Sequence, residues 1–122
     1  MRKPYVAVVD DDSAFASYLR TFLSLRGYET RSYSRGDELL AAVKQGDPPD
    51  IVLLDVMMPK MDGLQVASAL RDDPTTRAIP ILLLSAKAQA TDVQAGKDVA
   101  DDYITKPFDP LELLDRVSRL LG

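Results

Sequence analysis

Three stretches of this chain are apolar at every position: Val6 to Val9, Ile51 to Leu54 and Ile81 to Leu84. A strand with one face in water alternates apolar and polar residues, so an unbroken apolar run marks a strand covered on both faces. Amphipathic segments lie between these runs. Phe15, Leu19, Phe22 and Leu23 recur at helical spacing before Gly27, placed just past a helix end, with Asp12 or Ser13 as the cap. Tyr28 to Tyr33 has strand content, and Ser34 then stands as a cap for Leu39, Leu40 and Val43, with Gly46 as the stop. The Pro48-Pro49 break precedes the second apolar run, Asp62 caps a helix over Leu64 to Leu70, and Pro80 introduces the third run. A thinner amphipathic pattern spans Thr91 to Lys97, and a short strand covers Tyr103 to Thr105. The C-terminal helix opens on Asp109, Pro110 and Glu112, which read as a cap, a first-turn proline and a capping-box acid. Its apolar positions are Leu111, Leu114, Val117, Leu120 and Leu121. Five strands alternating with five helices predict an α/β doubly wound three-layer sandwich, a (βα)5 arrangement around a five-stranded parallel sheet.

A length of 122 residues predicts one domain over residues 1–122. Such a domain buries about two-thirds of the surface its unfolded chain exposes, enough for one core without disulfides. The chain has no cysteine and no histidine. It therefore contains no thiolate zinc site, no cysteine nucleophile and no Ser-His-Asp triad, and any histidine chemistry must come from another chain. The apolar run after the N-terminus is too short, and too soon followed by three aspartates, for a signal peptide. No stretch approaches the roughly 20 apolar residues of a membrane span. A formal charge of −4 argues against a free-standing nucleic-acid binder.

In a doubly wound sheet, ligands bind beyond the carboxyl ends of the strands. The residues standing there are Asp10, Asp11 and Asp12 after the first strand, Asp55 after the third, Ser85 after the fourth, and Lys106 followed by Pro107 after the fifth. Converging carboxylates repel one another and require cationic compensation. Lys106 supplies one charge, and a hard divalent ion suited to oxygen ligands, Mg²⁺ above all, supplies more. A carboxylate beside Mg²⁺, a lysine and a hydroxyl has the parts for phosphoryl transfer to an aspartate. Asp55, on a central strand, is the expected nucleophile, and Asp10 and Asp11 the expected metal ligands. Taken singly, each residue has a plainer reading: Asp12 caps a helix, Asp10 and Asp11 cap or bind metal, Lys106 is a solvated charge, and Pro107 ends a strand. Four strand ends carrying mutually compatible groups is what the plainer readings leave unexplained.

Taken in order, VAVVDDD, IVLLDVMMPKMDGL, IPILLLSA and DDYITKPF resemble the segments of response-regulator receiver domains of two-component signalling, with the flavodoxin-like fold of CheY. The resemblance covers essentially the whole chain. It implies that Asp55 is the phosphoacceptor and that Asp10, Asp11, Asp55 and the backbone carbonyl of Met57 hold Mg²⁺. It further implies that Ser85 and Lys106 meet the phosphoryl group, that Tyr103 is the aromatic switch partner of Ser85, and that the Lys106-Pro107 peptide is cis. The implied donor is a sensor histidine kinase or a phosphotransfer protein. The implied output is a downstream effector protein or a fused effector domain, reached through the face of the Thr91–Lys97 helix, the fifth strand and the C-terminal helix, with a phosphorylation-dependent homodimer as one form. A cytoplasmic location is implied as well, with no turnover of an external substrate and no direct contact with nucleic acid or membrane.

Three other readings compete. One is a receiver that binds proteins without phosphorylation. Another is a dehalogenase-like phosphohydrolase using Asp10 as nucleophile and Asp12 as its second acid, although Ala14 stands where that family has Thr or Val. The third is a flavin-binding protein of the same fold class, which three acids after the first strand disfavour, since they repel a phosphate.

Overall fold

The computed structural model describes residues 3–58, 62–86 and 100–122, with the side chains of Ser85 and Ala86 outside the description. Strands β1 (Tyr5–Val9), β2 (Glu29–Tyr33), β3 (Ile51–Asp55), β4 (Ile81–Ala86) and β5 (Asp102–Lys106) form one parallel sheet in the order β2-β1-β3-β4-β5. The helices are α1 (Ser13–Leu25), α2 (Gly36–Lys44), α3 (Gly63–Asp72) and α4 (Pro110–Leu121). The predicted helix over Thr91 to Lys97 lies outside the described residues.

The sheet is covered on both faces, as the unbroken apolar runs require. Val6, Val8, Leu53, Leu82 and Leu84 point to one side, where they pack with Leu19 and Leu23 of α1 and Leu113 and Val117 of α4. Ala7, Val9, Val52, Leu54 and Leu83 point to the other, against Leu39 of α2 and Val66, Ala67 and Leu70 of α3. Every one of these residues is essentially fully buried. At roughly 1.5–3 kcal/mol for each large side chain removed from water, the two layers supply the main stabilisation of the fold.

The helix ends follow local chemistry, with three differences from the sequence reading. Asp12 caps α1 by accepting from Phe15 N at 3.1 Å, and Asp62 caps α3 in a reciprocal box with Gln65. Gly27 has φ +94°, the left-handed conformation that ends α1 without a Cβ clash. Ser34 does not cap α2: the helix opens one residue later with Arg35 in the cap position, and the Ser34 hydroxyl donates to Glu38 Oε1 instead. Asp109 caps α4, but Glu112 points towards Arg116, 3.6 Å away, rather than forming a capping box. On α4 the core faces are Leu113 and Val117, and Leu111 is 61% exposed. Two residues on a helix subtend about 200°, so Leu111 and Leu113 cannot share a face, and only docking against the sheet decides which is buried.

At the amino ends of the strands, aspartates act as backbone partners. Asp50 Oδ2 accepts from Tyr5 N at 2.7 Å, and Asp101 Oδ2 accepts from Ile81 N at 2.8 Å. Arg71, from the last turn of α3, pairs with Asp101 and also donates to the Ile79 carbonyl at 2.8 Å. The loop before β4 and the segment entering β5 are thereby tied together.

Candidate functional site at the carboxyl edge

Strand order reverses at β1: the chain runs outward to β2 and then crosses to β3 on the other side. The helices following β1 and β3, α1 and α3, leave on opposite faces, which opens a crevice at the carboxyl ends of those two strands. Asp10 follows β1 and Asp55 ends β3, so both border that crevice.

Asp10 and Asp55 are 2% and 7% exposed. One carboxylate oxygen from each of Asp10, Asp11 and Asp55 lies within 4.8 Å of the other two, with Asp11 the solvent-facing member. Asp10 Oδ1 accepts from Asp12 N at 2.9 Å, which orients its carboxylate from within its own loop. Lys106 Nζ sits 3.3 Å from Asp10 Oδ2 and 3.5 Å from Asp55 Oδ1. Met57 N lies 3.4 Å from Asp55 Oδ1, while the Met57 side chain is exposed. Burial, and then the neighbouring Asp10 carboxylate, push the Asp55 carboxyl up to about 6, against the opposing pull of Lys106 and the Met57 amide. The site is therefore under-compensated. Three oxygen donors of like charge with a single ammonium among them fit a hard divalent cation such as Mg²⁺ by donor type and by the charge they leave unbalanced.

The structure brings together Asp10, Asp11, Asp55, Met57 and Lys106, and the Lys106-Pro107 peptide is cis. Asp12 does not join them, because its carboxylate turns to the α1 amides. A dehalogenase-like arrangement would need that second acid beside Asp10. Ser85 pairs in register with Thr105 at the carboxyl end of β4, and its hydroxyl lies outside the description. Tyr103 is half-buried on β5 against the α2–α3 layer, with its carbonyl accepting from Arg116 at 2.9 Å.

Two residues at this edge have no role in the sequence reading. A Cβ on Gly63 would stand 2.3 Å from the Asp55 carbonyl oxygen and 2.9 Å from Val56 Cα. The α3 N-terminus thus packs directly on the backbone that carries Asp55, and the glycine in MDGL was the available signal. Phe15 lies with its ring centroid 4.3 Å from Lys106 Nζ. Nothing in the amphipathic pattern of α1 separates it from a core phenylalanine.

An open parallel sheet with an acid cluster and a lysine at its switch point defines a class of α/β protein built to handle a charged ligand at that edge. The chain belongs to the response regulator receiver domain family, whose model matches residues 6–118. It is 41% identical over 119 residues to the DNA-binding dual master transcriptional regulator RpaA of Synechocystis, covering 97% of this chain and 49% of that protein. It is 43% identical over 113 residues to the DNA-binding response regulator MtrA of Mycobacterium tuberculosis, covering 92% of this chain and 48% of that one. The chain spans about half the length of the curated relatives it matches. Among solved structures, a response regulator from Chloroflexus aurantiacus superposes with a TM-score of 0.93 at 36% identity, covering 98% of both chains. The chemotaxis response regulator CheY4 of Vibrio cholerae does so with a TM-score of 0.88 at 32% identity, covering 98% of this chain and 99% of that one. The protein carries a CheY-like receiver domain of the two-component type. Among the described residues, no helix is long and apolar enough to cross a membrane.

Proposed function

We propose that Asp55 is the phosphoacceptor of this receiver domain, which spans residues 1–122 and takes its phosphoryl group from a sensor histidine kinase or a phosphotransfer protein in the cytoplasm. The observation that carries the reading is the position of Lys106, within 3.5 Å of both Asp10 and Asp55 inside a group of three converging carboxylates. Asp55 is the nucleophile: one carboxylate oxygen forms the O–P bond as the P–N bond to the donor histidine breaks, and the imidazole leaves with that electron pair. With its carboxyl at about 6, Asp55 is mostly ionised at neutral pH and ready to attack. Lys106 stays beside it and neutralises charge on the phosphoryl oxygens. Asp10 and Asp11, with the Met57 carbonyl, are the groups that would hold Mg²⁺. When bound, the ion supplies the divalent charge that lets two carboxylates and a phosphoryl group share one crevice.

Phosphorylation adds about −1.5 to −2 charges to the edge. Ser85 and Lys106 engage the added oxygens, Tyr103 turns inward behind Ser85, and a pre-existing equilibrium shifts towards the active form. The changed face comprises β5 and α4. It controls a downstream effector protein or an attached effector domain, and a homodimer formed on phosphorylation is one route. The domain turns over no external substrate and makes no nucleic-acid or membrane contact of its own.

Intact-mass measurement after incubation with acetyl phosphate tests this, with and without Mg²⁺, on wild type, Asp55→Ala and Asp10→Ala. One phosphoryl adduct that needs Mg²⁺ and vanishes in Asp55→Ala is expected. An unmodified wild type, also inert to phosphorylated kinases, would leave a phosphorylation-independent binding module. An adduct kept in Asp55→Ala and lost in Asp10→Ala would mean a hydrolase-like nucleophile.

A further inference from the structure

We infer that Phe15 is a positioning residue for Lys106, its ring acting as the third wall of the slot that holds the ammonium at Asp55. The consequence for phosphoryl transfer rests on the phosphoacceptor reading above. A lysine side chain has four rotatable bonds and loses rotamer freedom when held in one place. Two carboxylate contacts alone leave the ammonium free to swing about the axis that joins the two oxygens. A third contact is needed to hold it.

The ring supplies that contact. Lys106 Nζ lies 4.3 Å from the Phe15 centroid, well inside cation–π range, while the same nitrogen reaches Asp10 and Asp55 on its other sides. The ring is itself braced. Phe108, two residues beyond Lys106, meets it edge-on at 6.0 Å with an interplanar angle of 69°, and the Tyr18 ring lies 6.3 Å away on the next turn of α1. The helix is in turn anchored by the Asp12 cap, whose carboxylate accepts from the Phe15 amide itself. One short segment thus carries two of the three clustered acids, Asp10 and Asp11, and the ring that lies against their counter-charge. The ring also shields one side of the ammonium from water, which strengthens its attraction to the two carboxylates.

Leucine retains most of the apolar bulk of phenylalanine but has no π face, so Phe15→Leu isolates the contact, and Phe15→Tyr restores it. Two readouts are needed. In the NMR spectrum of the unphosphorylated protein, the Lys106 ε-methylene protons of wild type and Phe15→Tyr lie upfield through the ring current, and in Phe15→Leu they return to the ordinary lysine position. In Mg²⁺-dependent phosphorylation by acetyl phosphate, followed by intact mass, Phe15→Leu is slower by about threefold to tenfold. Phe15→Tyr matches wild type. In a Lys106→Ala background Phe15→Leu slows the reaction no further, because the group it positions is gone. The inference is overturned if the ε-methylene protons are unshifted in wild type, or if Phe15→Leu costs as much with Lys106 absent as with it present. A wild type that takes up no phosphoryl group overturns the phosphoacceptor reading instead, and the ε-methylene shift then decides by itself whether Phe15 holds Lys106.

Discussion

Aspartates stand at both ends of this sheet and do opposite things. At the amino ends, Asp50 and Asp101 each accept a hydrogen bond from the amide of a residue opening a central strand, and Asp101 is neutralised by Arg71. At the carboxyl ends, Asp10 and Asp55 face each other with Lys106 between them, and the Asp55 carboxyl is pushed up to about 6. The first pair is satisfied by the fold, whereas the second is strained by it. Buried carboxylates whose donors fall short of their charge are a cost that folding alone gives no reason to keep, so the same residue type marks structure at one end and function at the other.

The sharpest way to break this contrast is to disturb the backbone beneath the strained pair. Gly63→Ala places a methyl group against the Asp55 carbonyl and Val56 Cα, where no flexible side chain can yield. We expect a loss of about 3 kcal/mol in urea unfolding, together with slowed phosphorylation. Asp101→Ala removes an amino-end partner, leaving the buried Ile81 amide without that acceptor and Arg71 without that carboxylate. A loss of about 2 kcal/mol is expected in the same assay, at any pH where aspartate is ionised.

At the carboxyl end the sign reverses. Asp55→Asn removes a charge that burial and Asp10 both oppose, so the metal-free variant should be more stable than wild type at pH 7.5, by about 1.5 kcal/mol. The folded carboxyl titrates near 6 and the unfolded one near 3.8. Wild type therefore loses this contribution as pH rises through about 6, and below about 4 the two proteins converge. Thermal melts at pH 4, 6 and 7.5 check it, and equal gains at all three would mean that charge is not the cause. The smallest effect is the metal's own. At about five times its Kd, Mg²⁺ should stabilise wild type by about 1 kcal/mol and Asp55→Asn by less, read as a shift in melting temperature. Asp101→Ala should respond like wild type.

Much of the architecture beneath this contrast is legible in the chain before it folds, and the limits are instructive. The apolar runs at Val6, Ile51 and Ile81 announce two-sided burial because period and composition alone separate a covered strand from a half-wet one. Asp12, Asp62 and Asp109 read correctly as caps because a cap depends on the next three amides and nothing more distant. Ser34 and Glu112 fail where a side chain had a second local partner, Glu38 in one case and Arg116 in the other. Leu111 fails because helical spacing fits several faces and only the sheet chooses one. Asp101 stands within the DDY segment yet serves the amino end of β4 from the entry to the neighbouring strand β5, twenty residues away.

By itself, the sequence determined the layer order, the parallel sheet and the set of acids and lysine brought to one edge, since each follows from periodicity and from where strands end. Only the tertiary structure decided which aspartates are satisfied and which are frustrated, that Gly63 has no room for a methyl group, and that Phe15 lies against Lys106. Those outcomes depend on distances between residues up to 96 positions apart, as for Lys106 and Asp10, and a one-dimensional pattern holds no measure of desolvation or of contact across such a span.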